Sequence, residues 1–457
     1  MRKLGYMKKT FWYTKLMFSL VILLFGFSIL KGDAEGAGPA IKIGVIGPMK
    51  SPIGQHQWNG AQLAAEEINA TGGIKVKGVP HAIQLIKADS NEFVSVTDAV
   101  SAMSRLTTVD KVDFMVGTAR SEAILAMQEV MADQRKILIG SYANHPELCA
   151  RLAKNYDRYK YWFRATGVVN AIEQAKMFPL VLDVVGRHVR NELGVERPRV
   201  ALLVEKIMGW DALLAGLKKI VPQLNMEIVG EWRPSAHAND VTAELTAIRN
   251  SEAHIIFDFS TGAVSSVYPR QWGELQIPSA LIGYAAEAAK QDYWKTSGGL
   301  CEYQIIVAAV TRVATTPKTI PFFDKYVKKF GEAPLITADV YDNIYILKEA
   351  IERSDTLDNE AVVLELEKTN YVGTFGRVEF NPRGHNLPHD LKFGAKYVYY
   401  GAGQWKNGKL VAVWPDGRAV NPVIGAGPGW EEIKPEGTVE LKLPPWMVKY
   451  WKSKKGK

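Results

Sequence analysis

From Ile41 onward, short apolar runs alternate with segments whose apolar residues recur at helical spacing. Ile41–Ile46 (IKIGVI) reads as a buried strand broken by Gly47-Pro48, and Trp58–Ile68 as a helix stopped by Gly72-Gly73. His81–Ala88 and Val112–Val116 follow as strands, each leading to a helix (about Val94–Thr107 and Glu122–Gln134), and Ile137–Ile139 opens a fourth unit. A second series begins after Phe163–Gly167. It runs helix Asn170–Arg190, strand Val200–Val204, helix Trp210–Leu217, strand Met226–Glu231, helix Val241–Asn250, strand Ala253–Phe259, helix Ala263–Trp272 and strand Ala280–Gly283. Repeated strand-to-helix units predict mostly parallel sheets covered by helices on both faces. Two such series in tandem predict an α/β protein of two Rossmann-like lobes, with ligand held between the carboxyl ends of their strands.

Beyond Cys301 the pattern predicts a strand at Tyr303–Ala308, a helix around Ile320–Phe330 and a longer one over Asp339–Ile351. Tyr371–Phe380, Leu391–Tyr400 and Gln404–Val413 then read as strands joined by turns. Pro415–Trp430 is rich in glycine and proline, and Pro444–Lys457 reads as a basic, aromatic tail. No repeat of about 20–50 residues marks a solenoid.

Ahead of these elements, Arg2–Lys15 is basic with interspersed apolar residues, and Met17–Leu30 is an uncharged apolar run. A bilayer core needs about 20 residues of helix, whereas a secretory apolar region needs about 7–15. The run therefore predicts export, with cleavage after Ala34 or Ala37, and an uncleaved anchor is the alternative. No cysteine adjoins the run to carry a lipid.

The chain has 457 residues, room for two or three domains. Its net charge of +8 hints at an anionic partner, but the first 37 residues carry much of that excess. The remaining basic residues are dispersed, and no basic stripe or reading module points to nucleic acid. Cys149 and Cys301 are an even count, which an oxidising compartment allows to pair or leaves as two thiols.

Catalytic and cofactor signatures are missing from the sequence. The first strand is not followed by Gly-x-Gly-x-x-Gly or a Walker loop, so no phosphate cradle and no cofactor is expected. There is no HExxH and no GxSxG, and His385 with His389 falls in a loop that reads as a turn rather than a metal site. The chain reads as a binding protein and not as an enzyme. What remains are polar loops at strand ends. Gly47–Trp58 offers Ser51, Gln55 or Trp58, and Gly117–Ala123 places Ser121 at the start of a helix with Arg120 beside it. Unpaired amides and a hydroxyl at a helix start suit an acceptor-rich group, although Ser121 also suits a simple cap and Arg120 a surface ion pair.

Ile43-Gly44-Val45-Ile46-Gly47-Pro48, Gly60–Ala64 and Ile68–Ile74 (INATGGI) together resemble the opening of solute-binding proteins of the branched-chain amino-acid and amide transporter type. The resemblance runs on through Val116-Gly117 with Ser121, Ser141–Leu148 (SYANHPEL), Tyr161–Gly167, Tyr341-Asp342 and Thr374–Gly384, covering about residues 41–415. It implies two periplasmic-binding lobes of type I. The expected division is 41–165 plus 303–388 for lobe 1, 166–300 plus 393–415 for lobe 2, a leader over 1–37 and an extension over 416–457. Crossovers are expected near Arg164–Gly167, Leu300–Tyr303 and Pro388–Phe393. The resemblance also implies an exported receptor that delivers a small solute to an ABC permease driven by a separate ATPase, touching the membrane only through that permease. A ligand sensor that signals to a membrane or regulatory partner is the alternative. By residue, Ser121, Ala143 and Asn144 match positions that meet a ligand carboxylate. Trp210 beside Gly209, with Ser260 and Thr261, falls near second-lobe contacts, and Tyr284 lies in the loop that faces the ligand's amino group.

That last loop departs from the family. Amino-acid binders carry a glycine-proline-glutamate-glycine run whose carboxylate meets the ligand ammonium. Here the chain reads Gly283-Tyr284-Ala285-Ala286, with Glu287 displaced. A buried ammonium without an acceptor is costly. Unless Glu205, Asp258 or Glu287 substitutes, the expected ligand is a small carboxylate, amide or modified amino acid rather than a free branched-chain amino acid. The family's early cysteine pair is also missing, so the resemblance assigns no disulfide to Cys149 and Cys301.

Overall fold

A computed structural model describes residues 37–165, 169–206, 210–290, 292–308 and 310–455. The apolar run at Met17–Leu30, Gly167 and Gly209 lie outside the described residues. No helix among the described residues is long and apolar enough to cross a membrane.

The first sheet contains β1 (Gly38–Gly47), β2 (Ile74–Val76), β3 (Val79–Asp89), β4 (Phe114–Gly117), β5 (Leu138–Gly140) and β6 (Trp162–Arg164), in the order β2-β3-β1-β4-β5-β6. All neighbours are parallel except the β2–β3 edge hairpin. Ile41, Ile43, Val45 and Ile46 on β1 are all fully buried, as a central parallel strand with helices on both faces requires. Between the strands lie α1 (Pro52–Ala70), α2 (Val96–Thr108), α3 (Ser121–Gln134) and α4 (Glu147–Lys154). α1 starts six residues earlier than the apolar period suggests. Ser51 caps it by accepting from the Gly54 amide, and Pro52 occupies the first turn, where its missing N–H costs nothing.

After β6 the chain enters α5 (Ala171–Leu193) and a second sheet. That sheet comprises β7 (Arg199–Val204), β8 (Glu227–Trp232), β9 (Ile255–Ser260), β10 (Ala280–Ala285), β11 (Ile305–Val307) and, from the far end of the chain, β14 (Ala402–Lys406) and β15 (Lys409–Trp414). Its order is β15-β14-β11-β10-β9-β7-β8. α6 (Asp211–Gln223), α7 (Thr242–Asn250) and α8 (Val267–Glu274) connect its parallel members. The register moves one expected crossing. Ile305 pairs with Ile282 on β10 and with Gln404 on β14, so the Tyr303–Ala308 strand belongs to the second sheet and the chain leaves it only after Val307.

α9 (Thr319–Phe330), α10 (Val340–Ser354) and α11 (Asn359–Leu366) return to the first lobe, followed by the hairpin β12 (Asn370–Val372) and β13 (Arg377–Glu379). Asp342 on α10 accepts from the Thr374 amide and hydroxyl and from Tyr371, which explains the Tyr341-Asp342 and Thr374–Gly376 motifs as one structural clasp. The Pro388–Asp390 segment is still held by the first lobe. The Arg164 amide donates to the His389 carbonyl, and the His389 ring stacks on Phe163 while contacting Glu367 and the Trp162 carbonyl. His389 is thus a packed core residue. The third passage between sheets falls beyond it, between Leu391 and β14.

At the carboxyl end, Tyr371–Phe380 folds back as the β12–β13 hairpin instead of forming one strand, and two more expectations fail. Leu391–Tyr400 forms only isolated bridges, because Gly394 takes a positive φ of 134° and turns the backbone out of the ladder. The terminal segment is not a loose tail but a helix, α12 (Pro445–Lys455). Trp446 and Trp451 donate to the Ile277 and Pro278 carbonyls at the base of the second sheet, with Trp451 stacked on His254. Aromatic burial against a preformed lobe orders a short helix that would not stand alone in water.

Candidate functional site

The carboxyl ends of the two sheets meet around Tyr142 and Tyr284. Tyr142 follows β5 in the first lobe, Tyr284 closes β10 in the second, and their hydroxyls are 3.5 Å apart. A second tie joins the same two regions. The Asn144 side-chain amide donates to Gln174 on α5 at 2.8 Å, and the Ala171 amide donates to the Asn144 carbonyl. The proximity of Tyr142, together with burial, holds the Tyr284 hydroxyl well above its ordinary pKa, and burial raises Tyr142. Both phenols are therefore neutral groups that donate and accept hydrogen bonds.

On the first-lobe side, β4 ends in Gly117 at a φ of 115°, and the backbone turns into α3. The Ser121 hydroxyl accepts from the His145 amide at 3.3 Å, linking the two loops that the sequence pairs as a ligand-carboxylate site. With that acceptor role filled, its O–H is left to donate. The amides just before the helix are already taken. Buried Glu92 accepts from Ala119 N at 3.1 Å on both oxygens, from Arg120 N at 2.7 Å and from the Ser90 hydroxyl at 3.0 Å. Burial pushes the Glu92 carboxyl above its usual range against the pull of these donors. Arg120 turns to its own lobe, contacting Glu122 at 3.2 Å and the Glu92 carbonyl at 3.1 Å.

Arg164, at the last position of β6, shapes the neighbouring loop. Its guanidinium donates to the Ala143 carbonyl and to the His145 carbonyl, the latter at 2.9 Å. Its Nε lies 2.7 Å from Asp390 as a fully buried ion pair, although that N–H is not aligned on the carboxylate. Ser141 at the head of the same loop donates to Asp339 at 3.0 Å. Ala143 is buried, with its carbonyl committed to Arg164.

In the second lobe, buried Glu205 follows β7 and accepts four bonds: Trp210 Nε1 at 3.0 Å, Thr261 N at 2.8 Å, Thr261 Oγ1 at 2.6 Å and Gly262 N at 2.9 Å. It fixes the Trp210 ring, which packs 4.2 Å from Phe259, and Phe259 in turn lies 5.5 Å from Tyr284. An aromatic wall of Trp210, Phe259 and Tyr284 thus backs the strand ends. Thr261 is committed to Glu205. Ser260 is buried beside the Asp258 stretch of β9, with no partner for its hydroxyl among the described residues. Trp58 packs α1 against β3 under the Lys87 ammonium at 5.0 Å.

The three carboxylates that the sequence offers as ammonium acceptors are all engaged or withdrawn. Glu205 is spent on the four donors above. Asp258 is buried with neither oxygen bonded, and burial raises its pKa to about 7. Glu287 pairs with Lys290 at 2.8 Å. Cys149 and Cys301 are separate buried thiols. Among the described residues no group of three or more His, Cys, Asp or Glu is arranged to hold a metal ion.

Sequence reasoning missed Glu92, Tyr142, Arg164 and Gln174. Tyr142 stood inside a motif already selected, but its neighbours Ala143 and Asn144 drew the resemblance. Glu92 had a local signal in Ser90-Asn91-Glu92 at a strand end. Arg164 stood inside the Tyr161–Gly167 motif, but its role was not legible there, because its partners lie 21 and 226 residues away in the chain.

Two α/β lobes whose strand ends face one another across an aromatic and hydroxyl-lined junction define the class of two-lobed solute-binding proteins. The chain belongs to the periplasmic binding protein family, whose model matches residues 40–395. A Leu/Ile/Val-binding protein homolog 7 from Brucella suis is 22% identical over 409 residues, 85% of this chain and 95% of that protein. In fold, the chain is similar to a putative branched-chain amino acid ABC transporter protein from Silicibacter pomeroyi, with a TM-score of 0.69 and 16% identity over 89% of this chain and all of the other. It is also similar to a solute binding protein of R. palustris solved in complex with benzoate, with a TM-score of 0.60 and 15% identity, covering 82% and 95% of the two chains. The chain is accordingly an extracytoplasmic binding protein for a small polar ligand, of the kind associated with ABC transport.

Proposed function

We propose that the chain captures an amino acid, amide or small carboxylate between its lobes and delivers it to an ABC permease driven by a separate ATPase. Ser121, the backbone at Ala143 and Asn144, and the Tyr142 hydroxyl contact the ligand's polar end, and Trp210 with Tyr284 covers its apolar part. Closure of the lobes over ligand shifts the population toward the form that docks on the permease. The observation that carries the choice of ligand is the commitment of Glu205, the burial of Asp258 and the Lys290 pairing of Glu287, which leave a ligand ammonium without its usual anion. A free branched-chain amino acid is therefore disfavoured against an amide, a carboxylate or a modified amino acid.

A thermal-shift screen of amino acids, amides, urea and short or aromatic carboxylates, followed by calorimetry on the hits, tests this reading. A ligand at about 1,000 times its Kd stabilises the folded protein by roughly 4 kcal/mol, which such a screen detects easily. Submicromolar affinity for leucine or valine, with no response to the other classes, refutes the ligand assignment. Uptake loss on deleting an adjacent permease tests delivery. Retained uptake with altered gene expression would instead favour the sensing role.

A further inference from the structure

The start of α3 already holds a carboxyl group, both of whose oxygens accept from donors. Glu92 reaches from the β3–α2 loop, is fully buried, and takes the amides of Ala119 and Arg120 together with the Ser90 hydroxyl. Those amides adjoin Ser121 and sit at the positive end of the helix dipole, where an acceptor-rich ligand group is otherwise favoured. The His145 amide, next to Asn144, is given to the Ser121 oxygen. The nearest cation, Arg120, is turned onto Glu122 and the Glu92 and Phe93 carbonyls.

We propose that Glu92 is a specificity-determining residue: its carboxylate fills the anion position at the start of α3, so the ligand end that meets Ser121 is uncharged. This rests on the reading of the Ser121–Tyr284 junction as the ligand site, and narrows it from amides and carboxylates together to the neutral members. A carbonyl oxygen suits the remaining Ser121 O–H, whereas a ligand carboxylate brings a second negative charge beside Glu92 in a partly desolvated cleft, where like charges repel strongly. An amide's N–H groups also find acceptors in the Tyr142 and Tyr284 oxygens.

The test uses isosteric pairs on the purified, exported chain: benzamide against benzoate, isovaleramide against isovalerate, and acetamide against acetate, each titrated by calorimetry. The neutral member of a pair that binds should be at least tenfold tighter in the wild type. Glu92→Ala frees the two amides and removes the charge, so the ratio should fall at least tenfold through a gain in carboxylate affinity. Glu92→Gln, which removes the charge alone, should move the ratio the same way by a smaller factor. Carboxylates bound as tightly as amides by the wild type would overturn the proposal without any variant, as would an unchanged ratio in a folded Glu92→Ala protein. Failure of all six compounds alongside tight binding of a free amino acid would instead refute the underlying choice of ligand, and the proposal with it.

Discussion

Replacing Arg164 by Met should damage both the fold and the cleft, and the sizes of the two effects follow from its contacts. The guanidinium is buried against Asp390 at 2.7 Å, with both side chains almost inaccessible to solvent. Removing one partner of such a pair leaves an uncompensated buried charge, at a cost of about 3–5 kcal/mol. The Ala143 carbonyl also loses its donor inside a buried loop, adding about 1 kcal/mol or more, while the exposed His145 region recovers water. A loss of roughly 4–6 kcal/mol is a large share of the 5–15 kcal/mol typical of folded proteins. Asp390→Asn alone should cost less than Arg164→Met, since the guanidinium keeps its two carbonyl acceptors. The double variant Arg164→Met with Asp390→Leu should be less destabilised than the sum of the single losses by about 2 kcal/mol or more. Urea unfolding followed by circular dichroism and tryptophan fluorescence measures this, coincidence of the two probes being the condition for a single free energy. A single-variant loss below about 1 kcal/mol, or strict additivity in the double variant, refutes the reasoning. Ligand affinity should also fall in any Arg164 variant that stays folded, because Ala143 and His145 are no longer held in place.

Other outcomes follow from the same contacts. Ser121→Ala should weaken ligand binding by about 1 kcal/mol with the fold intact, read by calorimetry and circular dichroism. Glu205→Ala releases four donors at once, so the emission of Trp210 should shift to the red and affinity should drop at least tenfold even where the lobe remains folded. Burial lowers His254 to a pKa of about 4, and its ring nitrogen accepts from the Arg199 amide, so it is neutral in the fold. Protons then bind more readily to the unfolded chain, and its contribution is present above about pH 6.5 and is lost as pH falls toward 4, by about 3 kcal/mol. His254→Gln should flatten that acid limb in pH-dependent denaturation. Asp258 runs the other way: with its pKa raised to about 7, it disfavours the fold increasingly from about pH 4 and fully above about pH 7, so Asp258→Asn should stabilise at pH 8 by up to about 4 kcal/mol and gain progressively less toward pH 4. Both cysteines should resist a thiol reagent until the chain is denatured, since each is buried with a raised pKa.

The apolar runs and helical periods along the chain carry the α/β class and both strand-helix series, because each strand of a parallel sheet must be apolar on two faces and each helix on one. Motif order was enough to single out Ser121 and the 143–144 loop, which the fold brings into contact through the His145 amide. What the sequence left open depends on distant pairing. The strand at Ile305–Val307 carries no mark of which sheet it joins, and only its register with Ile282 and Gln404 decides that. The terminal helix reads as a tail until Trp446 and Trp451 find carbonyls at Ile277 and Pro278. The chemistry of the cleft is the clearest case. Ser121, Glu205 and Arg120 are visible as residue types, but whether each faces a ligand depends on which donors and acceptors the fold has already brought to it. His145 reaches Ser121, Thr261 and Trp210 reach Glu205, and Glu92 occupies the start of α3. Local sequence determined most of the elements and the loops that end them in the two strand-helix series. The tertiary structure alone decided which polar groups stay unsatisfied, because burial and long-range hydrogen bonding are properties of the packed chain and not of any segment of it.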